Sequence, residues 1–336
     1  MVKVSAVIVT FNQEQFIAQA IEGFLRQVTS FPCELVIADD SSTDGTRDVI
    51  RRYWQRYPER IRVLLNRRNL GCCRTKVHAY RACRGQYVAL LDGDDYWTSP
   101  DKLQRQADCL DRHPDFALCF HSVRMAWEDA SREPVTFRPP WGKAVYTLGD
   151  LLRRNFIASC AAMYRKGVFD EYPAWSFVMP ISDWTQHVLH ARHGAIGYID
   201  EPMAVYRQHR GGIHSMKPAT HQTRIGIEML RRFRCAMPRE YRGRINRSLC
   251  RSYCQLARQY CDEGMPAEAR RCLRECFREV YPSPHLPWRT LLRVMVRVWH
   301  RAPEREKARL GSRPAVDGRY AQLRHAAGRL SRVSRG

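Results

Sequence analysis

From residue 4 the chain reads VSAVIVTF, an unbroken apolar run rich in β-branched residues, and then EQFIAQAIEGFLRQ, in which apolar positions recur every three or four residues. The first pattern suits a strand buried on both faces, the second an amphipathic helix. The alternation repeats through CELVIADD, SSTDGTRDVIRRYWQRYP, IRVLLN, CCRTKVHAYRAC and QYVALLDGDD. Strands that are apolar throughout, regularly spaced by helices, predict an α/β domain built on a mostly parallel sheet with helices flanking it. In such sheets ligands bind at the carboxyl ends of the strands.

The pattern continues with a helix at PDKLQRQADCLDRHPD and a strand at FALCFHSVRM, then dissolves from Glu128 to Lys143 into a loop containing proline and arginine. Periodicity returns at TLGDLLRRN and SCAAMYRKGVF. ISDWTQHVLHARHG reads as a helix with Asp183 in its first turn, and AIGYIDEPMAVYRQH as a strand that runs into the glycine-bearing loop RGGIHS. Beyond about residue 218 only helical spacing remains. Three parts are expected: an α/β domain over 1–217, an all-helical region over 218–300, and a basic tail of weak periodicity over 301–336. Within the helical region, RSYCQLARQYCDEGMPAEARRCLRECFREVYP looks like one tetratricopeptide-style hairpin, short of the three or so units a solenoid needs. LPWRTLLRVMVRVWHR alternates arginines with apolar residues, which suits either an interfacial helix at an anionic membrane or a core-facing helix with a basic outer side.

The polar residues of the α/β part collect where strands end. Thr10, Phe11, Asn12 and Glu14 follow the first strand, Asp39 and Asp40 close the second, and Asp92, Asp94 and Asp95 close the fourth. Asn12, Glu14 and the residues of DDSSTDGT have a plain alternative role as helix caps, although two adjacent aspartates exceed what one cap requires. The stretch LLDGDDYW is harder to explain by local structure, because three clustered carboxylates repel one another and resist desolvation. A hard divalent cation answers this best: Mg²⁺ or Mn²⁺ takes oxygen ligands from one or two carboxylates, substrate phosphates and water. Gly93, between two of the acids, lets the backbone turn close to a ligand.

The series VSAVIVTFNQE, LVIADDSSTDGT, NLGCCRTKVHAYRACRGQYVALLDGDDYW, ISDW and YRQHRGGIHS resembles, in order and approximate spacing, glycosyltransferase family 2, bacterial nucleotide-sugar enzymes of the GT-A fold. The resemblance covers roughly residues 1–215. It implies an inverting, metal-dependent transfer of a sugar from a nucleoside-diphosphate donor to a hydroxyl of a glycan or lipid-linked acceptor in cell-surface polysaccharide or lipopolysaccharide synthesis. It assigns the nucleotide to Thr10, Phe11, Asn12, Glu14, Asp39, Asp40, Arg74, Asp92 and Gly93, with Asp40 on the base. The same resemblance places the metal on Asp94, with Asp92 nearer the ribose or a metal-bound water. His209 is a further candidate ligand, and Asp183 becomes the catalytic base. Asp95, Trp184, Arg207, His214 and Ser215 would meet the diphosphate or the acceptor, and Lys76 shares with Arg74 the place after NLG where a cation faces phosphate. The base-contacting positions suit UDP without excluding GDP or dTDP.

Charge and cysteine content refine this picture. Of 56 Lys+Arg and 34 Asp+Glu, 27 basic and 10 acidic residues lie from His221 onward, so most of the net charge of +22 belongs to the C-terminal third. Such a region can meet an anionic membrane, nucleic acid or an acidic polymer. A nucleic-acid-binding protein and a catalytically inactive scaffold of the same fold therefore stand as alternatives, but the first leaves the acidic rim unexplained and the second sits poorly with retained Asp92, Asp94 and Asp183. No nucleic-acid partner is expected. MVKVSAVIVTFN turns polar too soon for a signal peptide, and no window has the roughly 18 apolar residues of a membrane span. The expected location is cytoplasmic, with the inner face of the cytoplasmic membrane as a second site of residence. There, thirteen cysteines stay reduced, and the pairs Cys250/Cys254 and Cys272/Cys276 read as core packing rather than zinc ligands.

Overall fold

A computed structural model of the chain describes residues 1–169, 171–212, 217–280 and 288–300. The chain divides into two compact units, Met1–Lys217 and a second beginning at Pro218. His214, Ser215 and the basic tail lie outside the described residues.

The first unit is built on a ten-stranded sheet: β1 (Val4–Thr10), β2 (Cys33–Asp39), β3 (Ile61–Leu65), β4 (Tyr87–Asp92), β5 (Tyr96–Trp97), β6 (Phe116–Trp127), β7 (Val135–Phe137), β8 (Val145–Tyr146), β9 (Met163–Arg165) and β10 (Ala195–Gln208). Its helices are α1 (Ile17–Leu25), α2 (Thr46–Arg56), α3 (Cys72–Ala82), α4 (Lys102–Arg112), α5 (Leu148–Leu151) and α6 (Ser182–Ala191). The main path runs β3-β2-β1-β4-β9-β6-β10-β5. Pairings of β1 with β2 and β4, of β2 with β3, and of β6 with β10 are parallel and extended, whereas the antiparallel ones span two or three residues each.

Every residue of β1 is buried, as its continuous apolar sequence requires of a central strand. Each Val, Ile or Leu so enclosed contributes about 1.5–3 kcal/mol. The chain steps from β1 outward to β2 and β3, then crosses back to place β4 on the other side of β1. That reversal opens a crevice beyond the ends of β1 and β4, the place where doubly wound sheets bind ligands.

Three features differ from the sequence pattern. Met163–Arg165, within a segment of returning periodicity, forms β9, wedged antiparallel between β4 and β6. The loop after Glu128 contains β7, which pairs with Val123–Met125 of β6. Tyr96 and Trp97, just past the acidic cluster, form β5 against Ala204 and Val205 of β10.

The second unit holds α7 (Ala219–Ala236), α8 (Arg242–Asp262), α9 (Pro266–Val280) and α10 (Trp288–His300). A turn at Gly264, with φ +74°, joins α8 and α9 into an antiparallel hairpin. Cys250, Cys254, Cys272 and Cys276 lie on the buried sides of that pair. The apolar face of α10, carrying Leu291, Val294 and Val298 at helical spacing, is buried against α8 and α9. This side, which an interfacial helix would offer to lipid, is thus occupied by protein.

Candidate active site

The loops that follow β1, β2 and β4 enclose, with α3 and the N-terminus of α6, a cavity of about 1330 Å³ at the crevice between β1 and β4. Its floor is the LLDGDDYW turn. An ideal Cβ on Gly93 would lie 2.5 Å from Gln13 Oε1 and 2.8 Å from Thr10 Oγ1, so only glycine allows this turn to pass so close to the end of β1. Thr10 is buried and donates to Gln13 Oε1 at 2.7 Å, while Phe11 is exposed at the cavity wall.

The three acids separate into three environments. Asp92 Oδ1 lies 3.1 Å from the ammonium of Lys76, which also donates to Ser159 Oγ at 3.2 Å. Burial raises the Asp92 pKa, the Lys76 charge opposes that, and the nearby charges of Asp94 and Asp183 add to it, leaving the carboxyl above its ordinary range. Burial disfavours the Lys76 charge too, but the carboxylates of Asp92 and Asp183 outweigh it and raise the ammonium's pKa. Asp94 Oδ2 lies 3.0 Å from Nε2 of His209, whose ring packs on Phe16 with centroids 4.8 Å apart. Asp95 is buried and accepts from the Arg207 backbone N–H at 2.9 Å; burial first, then Asp94 and Asp92, push its pKa well up. Asp95 therefore faces the strand rather than the cavity and anchors the turn to β10.

Arg207 fastens the same turn. Its Nε donates to the Asp94 carbonyl at 2.8 Å, its Nη1 to Glu128 at 2.9 Å and its Nη2 to Gln19 at 2.6 Å, with the guanidinium 4.6 Å from the Phe16 ring centroid. Every guanidinium nitrogen has a protein acceptor, so Arg207 holds the turn in place while lining the cavity.

The loops after β1 and β2 interlock. The Thr43 N–H donates to Asn12 Oδ1 at 2.8 Å, and the Gly45 N–H to Glu14 Oε2 at 3.0 Å. Asn12 takes φ +52°, a left-handed conformation that asparagine tolerates. Glu14 thus braces the second loop. Asp40, expected on the base, accepts from Asn66 Nδ2 at 2.9 Å, the Leu70 N–H at 2.8 Å and the Gly71 N–H at 2.9 Å. Both of its oxygens serve the start of α3. Asp39 is fully buried: Oδ1 accepts from Arg47 and the Ser42 N–H, while Oδ2 has no hydrogen-bond partner among the described residues.

Asp183 sits in the first turn of α6, lines the cavity, and accepts the Trp184 N–H at Oδ1. Trp184 points away into the core, 4% exposed, with Nε1 donating to the Leu151 carbonyl at 3.1 Å, so it supports α6 instead of meeting an acceptor. Arg74 stands exposed at the cavity wall; the cation brought against the carboxylates is Lys76. The sequence reading did not include Ser159, Cys72 or Ser182, the last two with side chains 3.2 Å apart beside Asp183. One signal was present for Lys76: Cys72, Lys76, Ala79, Tyr80 and Cys83 form one helical stripe, so a lysine within it has to be buried and needs a counter-charge.

Residues 5–173 match Glycosyl transferase family 2, and the chain belongs to that family. An uncharacterized protein of Mycobacterium tuberculosis, Rv1520, is 44% identical over 210 residues, which is 62% of this chain and 60% of that protein. The chain thus matches about three fifths of that relative's length. Among solved structures, the mannosyltransferase PcManGT from Pyrobaculum calidifontis in complex with GDP-Man and Mn²⁺ is similar with a TM-score of 0.55 at 16% identity, over 88% of this chain and 86% of that one. S. aureus TarS 1–349 in complex with UDP-GlcNAc is similar with a TM-score of 0.50 at 18% identity, over 83% of this chain and 90% of that one. At these identities the likeness is one of fold, and the fold is GT-A with a helical C-terminal region.

Proposed function

We propose that the chain transfers a sugar from a nucleoside-diphosphate donor to a hydroxyl of a glycan or lipid-linked acceptor, with inversion at the anomeric carbon and with Mn²⁺ or Mg²⁺ bound. The observation that carries this reading is the convergence of Asp92, Asp94, His209, Lys76 and Asp183 on one cavity at the crevice between β1 and β4. Solved proteins of this fold with UDP-GlcNAc and with GDP-Man and Mn²⁺ support a nucleotide-sugar donor and a divalent ion. UDP is the first base to test.

Among the described residues no three His, Cys, Asp or Glu side chains form a closed metal site. Mg²⁺ and Mn²⁺ do not need one, because phosphate and water complete their coordination. The Asp94 carboxylate beside the His209 imidazole fits that requirement, and these two residues would hold the ion, with Asp92 next to it. An ion held there would supply positive charge to offset that on the departing diphosphate. Lys76 keeps Asp92 positioned, Gly93 brings the turn against Thr10, and Arg207 with Asp95 fixes the turn to β10. Asp183 accepts the acceptor hydroxyl's proton as the new C–O bond forms and the bond to the diphosphate breaks. A single displacement of this kind inverts the centre and needs no second carboxylate nucleophile.

The test is Asp183→Asn, assayed with a panel of UDP- and GDP-sugars for nucleotide release and, separately, for donor binding. Loss of general-base help lowers turnover by about 10²–10⁴-fold, with donor affinity nearly unchanged. Turnover within a few-fold of the parent would overturn the base assignment.

A further inference from the structure

Between β7 and β8 the chain reads RPPWGKA, and Trp141 within it takes φ +77°, with Gly142 following at φ +57°. Among the described residues the other non-glycine positions of positive φ are Asn12, Ser41 and Ala130, all of them small. For a bulky side chain this left-handed region is strained, and a glycine or asparagine would hold the turn at lower cost. Burial of the indole does not explain the choice. Its inner edge meets Tyr146 and Phe156, with ring centroids 6.4 and 5.9 Å away, yet 39% of the residue stays exposed. A tryptophan kept at the surface by an unfavourable backbone conformation points to a role other than folding.

Hydrogen-bond donors surround the ring. The Arg153 guanidinium lies 4.1 Å from its centroid, and Lys143 Nζ, which Asp150 holds at 2.9 Å, lies 5.8 Å away. The platform also adjoins the cavity. Phe137, at the end of β7, and Phe156, against which the indole packs, both line the cavity, as does Asn155, two residues after Arg153. The Leu151 carbonyl, two residues before Arg153, takes the indole N–H of Trp184 beside Asp183. We propose, on the basis of the transfer reaction above, that Trp141 and Arg153 form a subsite for a sugar of the acceptor beyond the one that receives the new bond, so that the acceptor is an oligosaccharide chain. One face of a pyranose presents C–H groups polarised by the neighbouring oxygens, which suit the electron-rich face of an indole. The hydroxyl oxygens of the same sugar accept from guanidinium N–H groups. A hydrocarbon chain would pack on the indole but would strip water from Arg153 and Lys143 and return no hydrogen bond, so the chemistry favours a saccharide.

The experiment measures binding of the full chain to α- and β-linked gluco-, galacto- and manno-oligosaccharides of one to four sugars, with and without Mn²⁺ and a nucleoside diphosphate. The parent should bind chains of two or more sugars in at least one series on the order of tenfold more tightly than the single sugar. Trp141→Gly removes the ring while suiting the left-handed backbone, and it should abolish that gain. Trp141→Tyr, which keeps an aromatic face, should retain the gain within a few-fold, and Arg153→Gln should lower it several-fold. Binding of the nucleoside diphosphate with Mn²⁺, measured on the same variants, separates this proposal from the one it rests on. Nucleotide binding that persists while the chain-length gain disappears supports the subsite; a parent that binds oligosaccharide through Trp141 but no nucleotide would sink the transferase reading and leave the subsite standing. Failure of the parent to bind any oligosaccharide, equal affinity for one sugar and for longer chains, or a gain that survives Trp141→Gly within twofold overturns the proposal.

Discussion

Replacing Lys76 by methionine removes the cation from a nest of carboxylates while roughly conserving volume. At 3.1 Å the ion pair with Asp92 is worth about 5 kcal/mol at an effective dielectric of 20. Desolvation of the two groups opposes part of that, and the Asp92 side chain keeps 29% of its exposure to the cavity. Breaking a fully buried pair costs about 3–5 kcal/mol; the partial exposure of Asp92 reduces the expected loss to about 2–4 kcal/mol. For a domain of this size that is a fall in melting temperature of about 5–15 °C. The effect carries a pH signature. Asp92 already has a raised folded-state pKa, and Lys76 is the charge that restrains it. Without Lys76 the folded-state pKa rises further, so the folded protein binds the extra proton more readily than the unfolded chain. The deficit should be largest near neutrality and shrink as the pH falls toward the raised pKa. Lys76 itself, held protonated, stays charged throughout this window. Thermal unfolding at several pH values between neutral and mildly acidic measures both effects, and adding Asp92→Asn to Lys76→Met should recover much of the loss. A deficit below about 1 kcal/mol, or one that does not change with pH, would refute the reasoning.

Three other outcomes follow from the structure. Gly93→Ala places a methyl against Gln13 and Thr10, so it should destabilise by about 1–3 kcal/mol and weaken nucleotide binding, read by unfolding and calorimetry. Glu34 is buried; burial raises its pKa, but bonds from Arg84 and Ser5 outweigh this and lower it. Its stabilisation is therefore present above the unfolded-state pKa and disappears as the pH falls through the lowered folded-state value, so Glu34→Gln should cost stability at neutral pH and progressively less in acid, checked by denaturant titration. Arg207→Gln should loosen the Asp94–Asp95 turn and raise the donor KM more than it lowers kcat, measured by steady-state kinetics.

Much of the fold is visible in the chain because central parallel strands have to be apolar on both faces, and β1, β2 and β4 satisfy that with little else in their sequence. The rim was readable for a related reason: Asp39, Asp92 and Asp94 interrupt apolar runs where burial would otherwise continue. The short strands β5, β7 and β9 were not readable. Two or three residues carry no period, and their pairing depends on partners distant in sequence, such as Tyr87–Ala89 for β9. Roles that depend on which atom a side chain reaches were also hidden. Arg207, Asp40 and Trp184 have partners within the protein that their positions in the sequence do not reveal: Gln19 and Glu128, Asn66 and Gly71, and the Leu151 carbonyl. For α10, the amphipathic pattern was clear, but a period alone does not say whether lipid or α8 covers the apolar side.

The central claim is that the cavity holds a nucleoside diphosphate through a divalent ion at Asp94. The most direct measurement is calorimetric titration of the protein and of Asp94→Ala with UDP, GDP, dTDP and CDP, each with Mn²⁺ and with EDTA. The account predicts that one diphosphate binds the parent with Mn²⁺ and that this binding is lost on chelation and in Asp94→Ala. Binding that is indifferent to chelation and to Asp94, or none for any of the four, would contradict it.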